Sequence, residues 1–268
     1  METKPQADAL EPSALQQLLT THTFGRVLQV WPSATSTNDL VKTLAQDGAP
    51  EGTVVIADHQ TNGRGRQGRT FASPAGVGIY LSLLLRPQID MARLPQLTLV
   101  SAVATAQALT AYSALPVQLK WPNDVEMYGK KVAGILCEAA VSPSTAAVAI
   151  IGIGINVNTA LDDFPLELQP FVTSLALAAG HSWSRAPLIA LLLAHLERLY
   201  TLFQQGHMAT ILAQWLHYGP IVGRRVRFTQ DTRALTGIVA GLDEDGALRV
   251  HDTAGTLYRL VAGEVVFL

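Results

Sequence analysis

Hydrophobic and polar positions follow two different patterns along this chain, and the change comes at Gly219-Pro220. Before this point, long segments with apolar residues three and four apart predict amphipathic helices, and shorter alternating or β-branched runs between them predict strands. After it, short alternating runs separated by Gly and Asp predict strands alone. The pattern therefore predicts a larger mixed domain, residues 1–218, followed by a small β domain, residues 219–268.

The first domain combines both kinds of segment. Helices are predicted at residues 10–20, 36–46, 94–112, 171–179, 186–205 and 208–218. Strands are predicted at residues 27–31, 53–58, 78–86, 119–121, 131–140 and 147–156. The last two strands are antiparallel if a turn at residues 142–145 joins them. Because several strands follow one another without a helix between them, the pattern favours an α+β fold, a mixed sheet with helices packed on it.

The second domain is predicted to contain only short strands. They are residues 224–228, 235–242, 247–251, 256–260 and 264–267. Five short strands in about 50 residues are typical of a small SH3-like β-barrel.

Composition narrows the class of protein. The 19 Lys and Arg residues against 21 Asp and Glu give a net charge of −2, which disfavours nucleic acid as the main partner. Residues 1–12 carry acidic residues and prolines without the apolar core of a secretory signal. The most apolar long stretch, residues 186–203, has His195, Glu197 and Arg198 on one side of a helix. We therefore expect a helix packed on a core and no membrane span.

The single cysteine, Cys137, cannot form an internal disulfide and lies in an apolar run. We interpret it as a buried thiol of a cytoplasmic protein and not as a catalytic nucleophile. No cluster of Cys and His has the ligand spacing of a zinc site, so no metal site is predicted.

The most informative segment is Gly-Arg-Gly-Arg-Gln-Gly-Arg at residues 63–69, between two predicted strands. Glycine lets backbone N–H groups approach an anion closely, and arginine adds a planar fork of donors that suits carboxylate and phosphate. This composition is expected of a loop that closes over a phosphorylated or carboxylated ligand. On composition alone, an exposed flexible loop or an RNA-binding Gly/Arg segment fits equally well.

Two further segments bring polar groups to strand ends. Lys-Trp-Pro-Asn-Asp-Val at residues 120–125 places Asn123 and Asp124 where proline ends a strand, at the edge of the sheet. Lys131 opens the next strand. Residues 152–156, Gly-Ile-Gly-Ile-Asn, form a glycine-spaced strand. Since glycine weakens strands, we expect a ligand or another part of the chain to pack closely there.

The order of these segments resembles the biotin–protein ligases. Their successive motifs are matched by Ser36-Thr37-Asn38, Gln60, residues 63–69, Ser73-Pro74, and residues 120–125, 131–136 and 152–156. The resemblance implies a catalytic core shared with class II aminoacyl-tRNA synthetases, followed by an SH3-like domain. Fewer than about 30 residues precede the first motif, too few for a helix-turn-helix unit with its own core. We therefore expect a monofunctional ligase without an N-terminal DNA-binding domain.

The resemblance also implies the reaction. Biotin is activated with ATP and Mg²⁺ to biotinyl-5′-AMP and is then transferred to a lysine of a biotin carboxyl carrier protein. Together with the composition, it favours a cytoplasmic protein with no nucleic-acid or membrane partner. It leaves a monomer and a homodimer both open.

Site residues are implied position by position. The implied biotin-binding residues are Ser36, Thr37, Asn38, Gln60, Gly63, Arg64, Gly65, Arg66, Lys131, Gly134 and Gly152. The implied nucleotide-binding residues are Arg66, Arg69, Phe71, Asn123, Lys131 and Asn156, and the implied catalytic residues are Lys131, Arg66 and Asp124. Helix capping is the competing role for Thr37 and Asn38, and a structural turn is the competing role for Asp124.

One position departs from the family pattern. Many relatives carry tryptophan after the Gly/Arg loop, whereas this chain has Phe71, preceded by Thr70 instead of a basic residue. Phenylalanine offers a smaller apolar face and no N–H group, so the packing of the adenylate there is left open.

Three other functions compete with this interpretation. A lipoate or octanoate ligase shares the fold but lacks the Gly/Arg loop. A biotin-responsive repressor needs an N-terminal winged helix, for which the segment before residue 27 is short and weakly patterned. A noncatalytic RNA-binding module is disfavoured by the net charge of −2.

Overall fold

The computed structural model describes residues 9–140, 148–230, 233–261 and 263–268. The helices are α1 (Pro12–Leu18), α2 (Thr37–Gln46), α3 (Gln96–Ser113), α4 (Leu175–Ala179), α5 (Arg185–Gln204) and α6 (Met208–Tyr218). The strands of the first domain are β1 (Leu28–Trp31), β2 (Val54–Ala57), β3 (Gly78–Leu85), β4 (Gln118–Lys120), β5 (Asp124–Met127), β6 (Lys130–Ala140) and β7 (Val148–Asn156). Those of the second are β8 (Arg225–Gln230), β9 (Arg233–Leu242), β10 (Leu248–Asp252), β11 (Leu257–Leu260) and β12 (Val265–Phe267).

The strands of the first domain form one mixed sheet in the order β1-β2-β3-β7-β6-β5-β4. β1 and β2 are parallel, and every other described pair is antiparallel. The prediction of a mixed sheet with antiparallel β6 and β7 is therefore confirmed. The turn predicted at residues 142–145 lies outside the described residues.

Alternation along the strands gives the sheet two unlike faces. On one face, Ile79, Leu81, Leu83 and Leu85 of β3 join the main core beneath α3 and α5. α3 is apolar on all sides because it packs between this face and the helices α5 and α6. On the opposite face, α2 covers only part of the sheet, around Val55, Leu84 and Ile150. The uncovered remainder of that face holds the site described below.

α5 is, within the described residues, the one helix long and apolar enough to cross a membrane by length and composition. Half of its most apolar window (50%) is buried inside the fold. Its buried positions pack against α3 and α1, as expected for a core helix.

The second domain is an antiparallel sheet in the order β11-β10-β9-β8-β12. The predicted strands are present, while the described pairings leave β11 and β12 as the two edges of the sheet. The loop between β9 and β10 contacts the first domain directly, since the buried Trp121 Nε1–H donates to the carbonyl of Gly246 at 3.1 Å.

The pattern missed one strand and overextended two helices. Pro122 was expected to end pairing, but the chain reverses there and β5 pairs with both β4 and β6. The helix predicted at 171–179 is only α4, because residues 171–173 instead run beside the start of β6. Lys131 N–H donates to Phe171 O at 2.8 Å, and Thr173 N–H donates to Lys131 O at 2.9 Å. The helix predicted at 10–20 is likewise only α1.

Candidate active site

A cavity of about 510 Å³ occupies the uncovered face of the first sheet. Its walls are the start of α2, the Gly/Arg loop, β4 to β6, the segment after β7, and residues 263–267 of the second domain. All the predicted site residues line it except Gly63, which lies at the base of the loop. The structure therefore brings together residues that are far apart along the chain.

Three glycines on neighbouring strands each make room for one side chain of the site. Gly154 pairs with Gly134 across β6 and β7, and Gly152 lies two residues before Gly154 on the same face. A Cβ at Gly152 would lie 2.4 Å from Asn38 Oδ1. A Cβ at Gly154 would lie 2.5 Å from Phe71 Cε1. The space left by these two glycines on the floor of the cavity is occupied by the side chains of Asn38 and Phe71.

The third glycine admits the lysine. A Cβ at Gly134 would lie 3.0 Å from Lys131 Cε and 3.1 Å from its Nζ. The sequence interpretation gave Gly134 and Gly152 a place in the site and overlooked Gly154. The signal was available, since Gly152 and Gly154 share a strand face that is otherwise expected to carry large side chains.

Polar side chains form a strip at the inner end of the cavity. Gln60 Oε1 accepts from Thr37 N–H at 2.9 Å and from the Thr37 hydroxyl at 3.2 Å, while Gln60 Nε2 donates to Ser73 Oγ at 2.9 Å. The fully buried Ser82 places its Oγ 2.6 Å from Thr37 Oγ1 and 2.5 Å from Asn38 Oδ1.

The start of α2 bears on the capping role that competes for Thr37 and Asn38. The N-cap residue is Ser36, and its side chain makes no capping hydrogen bond. Thr37 and Asn38 already belong to the helix, and their side chains point to Gln60, Ser82 and β6. Capping is therefore not the role of Thr37 or Asn38.

Residues 63–71 fold back on themselves as a hairpin, called the hairpin loop below. Phe71 N–H donates to Gly63 O at 2.9 Å, and Gly65 N–H donates to Arg69 O at 2.7 Å. A Cβ at Gly63 would lie 2.4 Å from Phe71 O, so only glycine permits this close pairing at the base. The tip turns through Gln67, with φ 56°, and Gly68, with φ 72°.

The three arginines of the hairpin loop are bound to three different walls. Arg64 Nη2 lies 2.8 Å from Asp39 Oδ1 of α2 and 3.0 Å from Glu138 Oε2 of β6. Arg66 Nη1 donates to Asn123 Oδ1 at 3.2 Å. Arg69 Nη2 lies 3.0 Å from Glu264 Oε1, just before β12.

Burial changes the electrostatics of Arg66. Desolvation lowers the pKa of its guanidinium, Asp124 raises it, and Arg69 lowers it further. The group remains a cation at neutral pH, because an arginine pKa starts far above that range. An incompletely hydrated cation at the mouth of a cavity favours an anionic ligand.

Lys131 is placed at the centre of the site by its neighbours. A register shift between Val125 and Glu126 of β5 lies opposite the start of β6, and such irregularities re-aim side chains. Lys131 Nζ lies 2.6 Å from Asp124 Oδ1 and 6.0 Å from the centroid of the Phe71 ring. The Asp124 carboxylate thus forms an ion pair with Lys131, and both residues line the cavity.

The two asparagines fix walls of the cavity. Asn123 Nδ2 donates to Ile135 O at 3.0 Å, and the buried Asn156 donates through Nδ2 to Thr173 O at 3.0 Å. Sequence reasoning placed both on the nucleotide side. The structure shows in addition that each amide holds a neighbouring segment in position.

Cys137 is partly buried, and its Sγ lies 3.7 Å from Leu94 O. Burial, and secondly the nearby Glu138 carboxylate, raise the pKa of the thiol to about 12. The sulfur is therefore protonated at neutral pH and is a poor nucleophile. Within the described ranges, no group of three or more His, Cys, Asp or Glu side chains could hold a metal ion.

Comparison with known proteins assigns this arrangement to a family. Residues 30–156 match the Biotin/lipoate A/B protein ligase family, and residues 221–268 match the Biotin protein ligase C terminal domain. The biotin–[acetyl-CoA-carboxylase] ligase of Mycobacterium tuberculosis is 32% identical over 264 residues, which cover 96% of this chain and 95% of that protein. This chain belongs to the biotin protein ligase family.

Other members of the biotin protein ligase family agree. The bifunctional ligase/repressor BirA of Bacillus subtilis is 37% identical over 92% of this chain and 76% of its own length. The structure of the Aquifex aeolicus biotin protein ligase in complex with biotin and ATP has a TM-score of 0.78 and 30% identity. That match covers 91% of this chain and 99% of the Aquifex chain.

Sequence analysis missed residues whose side chains contact the predicted site residues. Glu138 and Ser82 each contact Asn38, and Glu264 contacts Arg69. Two of them carried a signal, since Ser82 and Glu138 are polar residues within apolar strands. The contribution of the second domain to the cavity had no local signal, because it depends on how the two sheets pack.

Proposed function

We propose that this biotin protein ligase activates biotin with MgATP to biotinyl-5′-AMP and transfers the biotin to a lysine of a biotin carboxyl carrier protein. The observation that carries the proposal is the convergence of Lys131 and the hairpin-loop arginines on one cavity that ends in a polar strip. A ligand with a polar ring at one end and a carboxylate at the other fits this order of groups.

The proposed reaction has two steps. In the first, an oxygen of the biotin carboxylate bonds to the α-phosphorus of MgATP, and the bond to pyrophosphate breaks. In the second, the acceptor amine bonds to the biotinyl carbonyl carbon, AMP leaves, and the amine loses a proton. Neither step needs an enzyme nucleophile, which agrees with the protonated Cys137. Both steps need anion stabilisation and positioning of the reactants.

On the biotin side, we assign the ureido ring to the strip of Ser36, Thr37, Asn38 and Gln60. The biotin carboxylate is assigned to Lys131, with Gly134 and Gly152 giving the floor its shape. Gly63, Arg64 and Gly65 belong to the base and first arm of the hairpin loop that covers the ring. This assignment is supported by the line of polar atoms from Gln60 to Asn38 and by Lys131 Nζ beside Gly134.

On the nucleotide side, we assign the α-phosphate to Arg66 and Lys131, whose partners Asn123 and Asp124 are adjacent in the chain. Arg69, Asn123 and Asn156 flank the same part of the cavity. Phe71 supplies an apolar face, and its smaller ring packs edge-on against Tyr80 with centroids 6.4 Å apart. Asp124, next to Lys131 Nζ, is assigned the orientation of the incoming amine. Mg²⁺ enters with the phosphates of ATP, as it usually does in such sites.

The test is a biotin-dependent assay of the purified protein. With biotin, ATP and Mg²⁺, we expect pyrophosphate release, and mass increase of a carrier domain by one biotinyl group. Lipoate and octanoate are the competitors, and preference for either would assign the chain to the lipoate branch of the family. Absence of biotin-dependent pyrophosphate release refutes the proposal.

Two further measurements address partners and location. A mass spectrum under non-denaturing conditions shows co-purified biotinyl-AMP and separates a monomer from a homodimer. A gel shift with biotin present tests the repressor function that the Bacillus relative carries in its name. We place the protein in the cytoplasm, because its one cysteine is a thiol and its reaction consumes ATP.

A further inference from the structure

One carboxylate connects the polar strip to the hairpin loop. Glu138 projects from β6 onto the same face as Gly134, and its side chain is 35% exposed. Its Oε2 accepts from Asn38 Nδ2 at 2.5 Å and from Arg64 Nη2 at 3.0 Å. A single oxygen therefore binds one residue of the strip and one residue of the loop.

Asn38 is fully engaged by this contact. Its Nδ2 donates to Glu138 and its Oδ1 lies 2.5 Å from Ser82 Oγ, so both ends of the amide have protein partners. Only 3% of Asn38 is exposed, and Gly152 leaves it no room to spare on the floor side. Glu138 and Ser82 together determine which face of this amide is presented to the cavity.

Arg64 binds two carboxylates, one of which is Glu138. Asp39 is its second carboxylate partner, at 2.8 Å, and it stands next to Asn38 in α2 without contact to the Asn38 amide in the described hydrogen bonds. The Arg64 Nε is buried and has no hydrogen-bond partner among the described atoms. Of the two carboxylates on Arg64, Glu138 alone also reaches the strip.

We propose that Glu138 is a positioning residue that couples the orientation of Asn38 to the closure of the hairpin loop through Arg64. This inference rests on the proposed function, since it concerns the same cavity. Loss of the shared carboxylate weakens the biotin strip and the loop at the same time. Loss of Asp39 weakens the loop alone.

The Glu138→Gln variant isolates the shared oxygen. Glutamine has the same shape, but its one oxygen replaces a charged acceptor and its NH₂ group meets a donor of Asn38 or Arg64. A hydrogen bond to a charged group is worth roughly a factor of ten or more, so we expect about a tenfold effect on each side of the connection.

The experiment compares Glu138→Gln with Asp39→Asn and with Glu167→Gln, a control at an exposed residue. In Glu138→Gln, the KM for biotin should rise about tenfold and bound biotinyl-AMP should escape about tenfold faster, with kcat and the KM for ATP little changed. In Asp39→Asn, the escape should be faster with a much smaller rise in the KM for biotin than in Glu138→Gln. Glu167→Gln should behave as the wild type.

A substrate-free measurement separates this inference from the proposed function. Trypsin cuts after arginine, so the cutting rate within residues 63–69 reports how firmly the hairpin loop is held. Glu138→Gln and Asp39→Asn should both be cut faster than the wild type at equal Tm. If Glu138→Gln is cut at the wild-type rate, or changes kcat alone, the inference is wrong. If only the wild-type assay for biotin fails while the cutting rates differ as expected, the fault lies in the proposed function.

Discussion

Alanine at Gly154 tests the idea that the floor of the cavity is shaped by the side chains resting on glycines. The new Cβ would lie 2.5 Å, 2.6 Å and 3.0 Å from Cε1, Cζ and Cδ1 of Phe71. Carbon atoms pack at about 3.5–4.0 Å, so the ring must move by about 1 Å. The backbone at Gly154 is ordinary strand, paired with Tyr80 and Gly134, and alanine fits it without strain.

The ring has one direction in which to move. The sheet lies beneath it and the ring of Tyr80 lies beside it, so Phe71 shifts into the cavity. Because Phe71 is only partly buried, this shift costs little folding free energy, whereas overpacking in a closed core costs about 1–3 kcal/mol. A misplacement of about 1 Å in an active site lowers the rate by about a hundredfold, equivalent to about 2.7 kcal/mol.

Single-turnover formation of biotinyl-AMP measures this effect, with Tm as the control for folding. Gly154→Ala should lose about a hundredfold in rate with a nearly unchanged Tm. In a Phe71→Ala background, the same glycine substitution should change the rate little, because the ring that the new Cβ would contact is absent. Equal losses in both backgrounds would show that the ring is not the cause.

Three further predictions concern single charged groups. Lys131→Ala should raise the barrier to adenylate formation by about 3 kcal/mol, which slows it over a hundredfold. Lys130→Ala is the control and should not slow it, because the Lys130 side chain is exposed. Unchanged single-turnover adenylation in Lys131→Ala contradicts the assignment. Arg66→Gly should release activated biotin that labels bystander lysines, and equal labelling by wild type excludes a lid role. Partial burial of Glu197 by itself would raise the pKa of its carboxyl. Hydrogen bonds from three backbone N–H groups outweigh this effect, so the net pKa is lowered. Its stabilising contribution is therefore complete at neutral pH and is lost as pH falls through the lowered pKa. Because Glu197 is partly exposed to solvent, Glu197→Gln should reduce the free energy of unfolding by only about 1 kcal/mol at neutral pH and by less in acid, as denaturant titrations at several pH values would show.

The sequence predicted those parts of the fold that depend on local pattern. The alternation of apolar residues correctly predicted the buried face of β3. The long apolar run correctly predicted that α5 packs on the core. The prediction failed at Pro122. The turn-forming residues there were expected to end strand pairing, but they form a tight reversal between two paired strands. It also failed at residues 171–173, whose backbone bonds to Lys131 instead of continuing a helix. Both failures come from pairing across the chain, which outweighs local preference.

The sequence predicted the site to a similar extent as the fold. The predicted site residues stand out by type and spacing, and all of them except Gly63 line the cavity. Residues that hold other side chains do not stand out, because their role is defined by a partner distant in sequence. Glu138 lies 100 positions from Asn38 and 74 from Arg64. The glycines of the cavity floor were only partly predictable. Their spacing shows that a side chain or ligand packs closely against the strand, but not which one.

The hairpin-loop arginines differ in how much they gain from an anionic ligand. Arg64 and Arg69 already bind carboxylates, so contact with a phosphate would exchange one anion for another. Arg66 binds the neutral amide oxygen of Asn123 and is partly desolvated. A phosphate oxygen attracts a guanidinium through its full negative charge, whereas a neutral amide oxygen offers only a dipole. We therefore expect Arg66 to gain most when its amide partner is exchanged for a phosphate oxygen, and we expect Arg64 and Arg69 to keep holding the loop through their carboxylate partners.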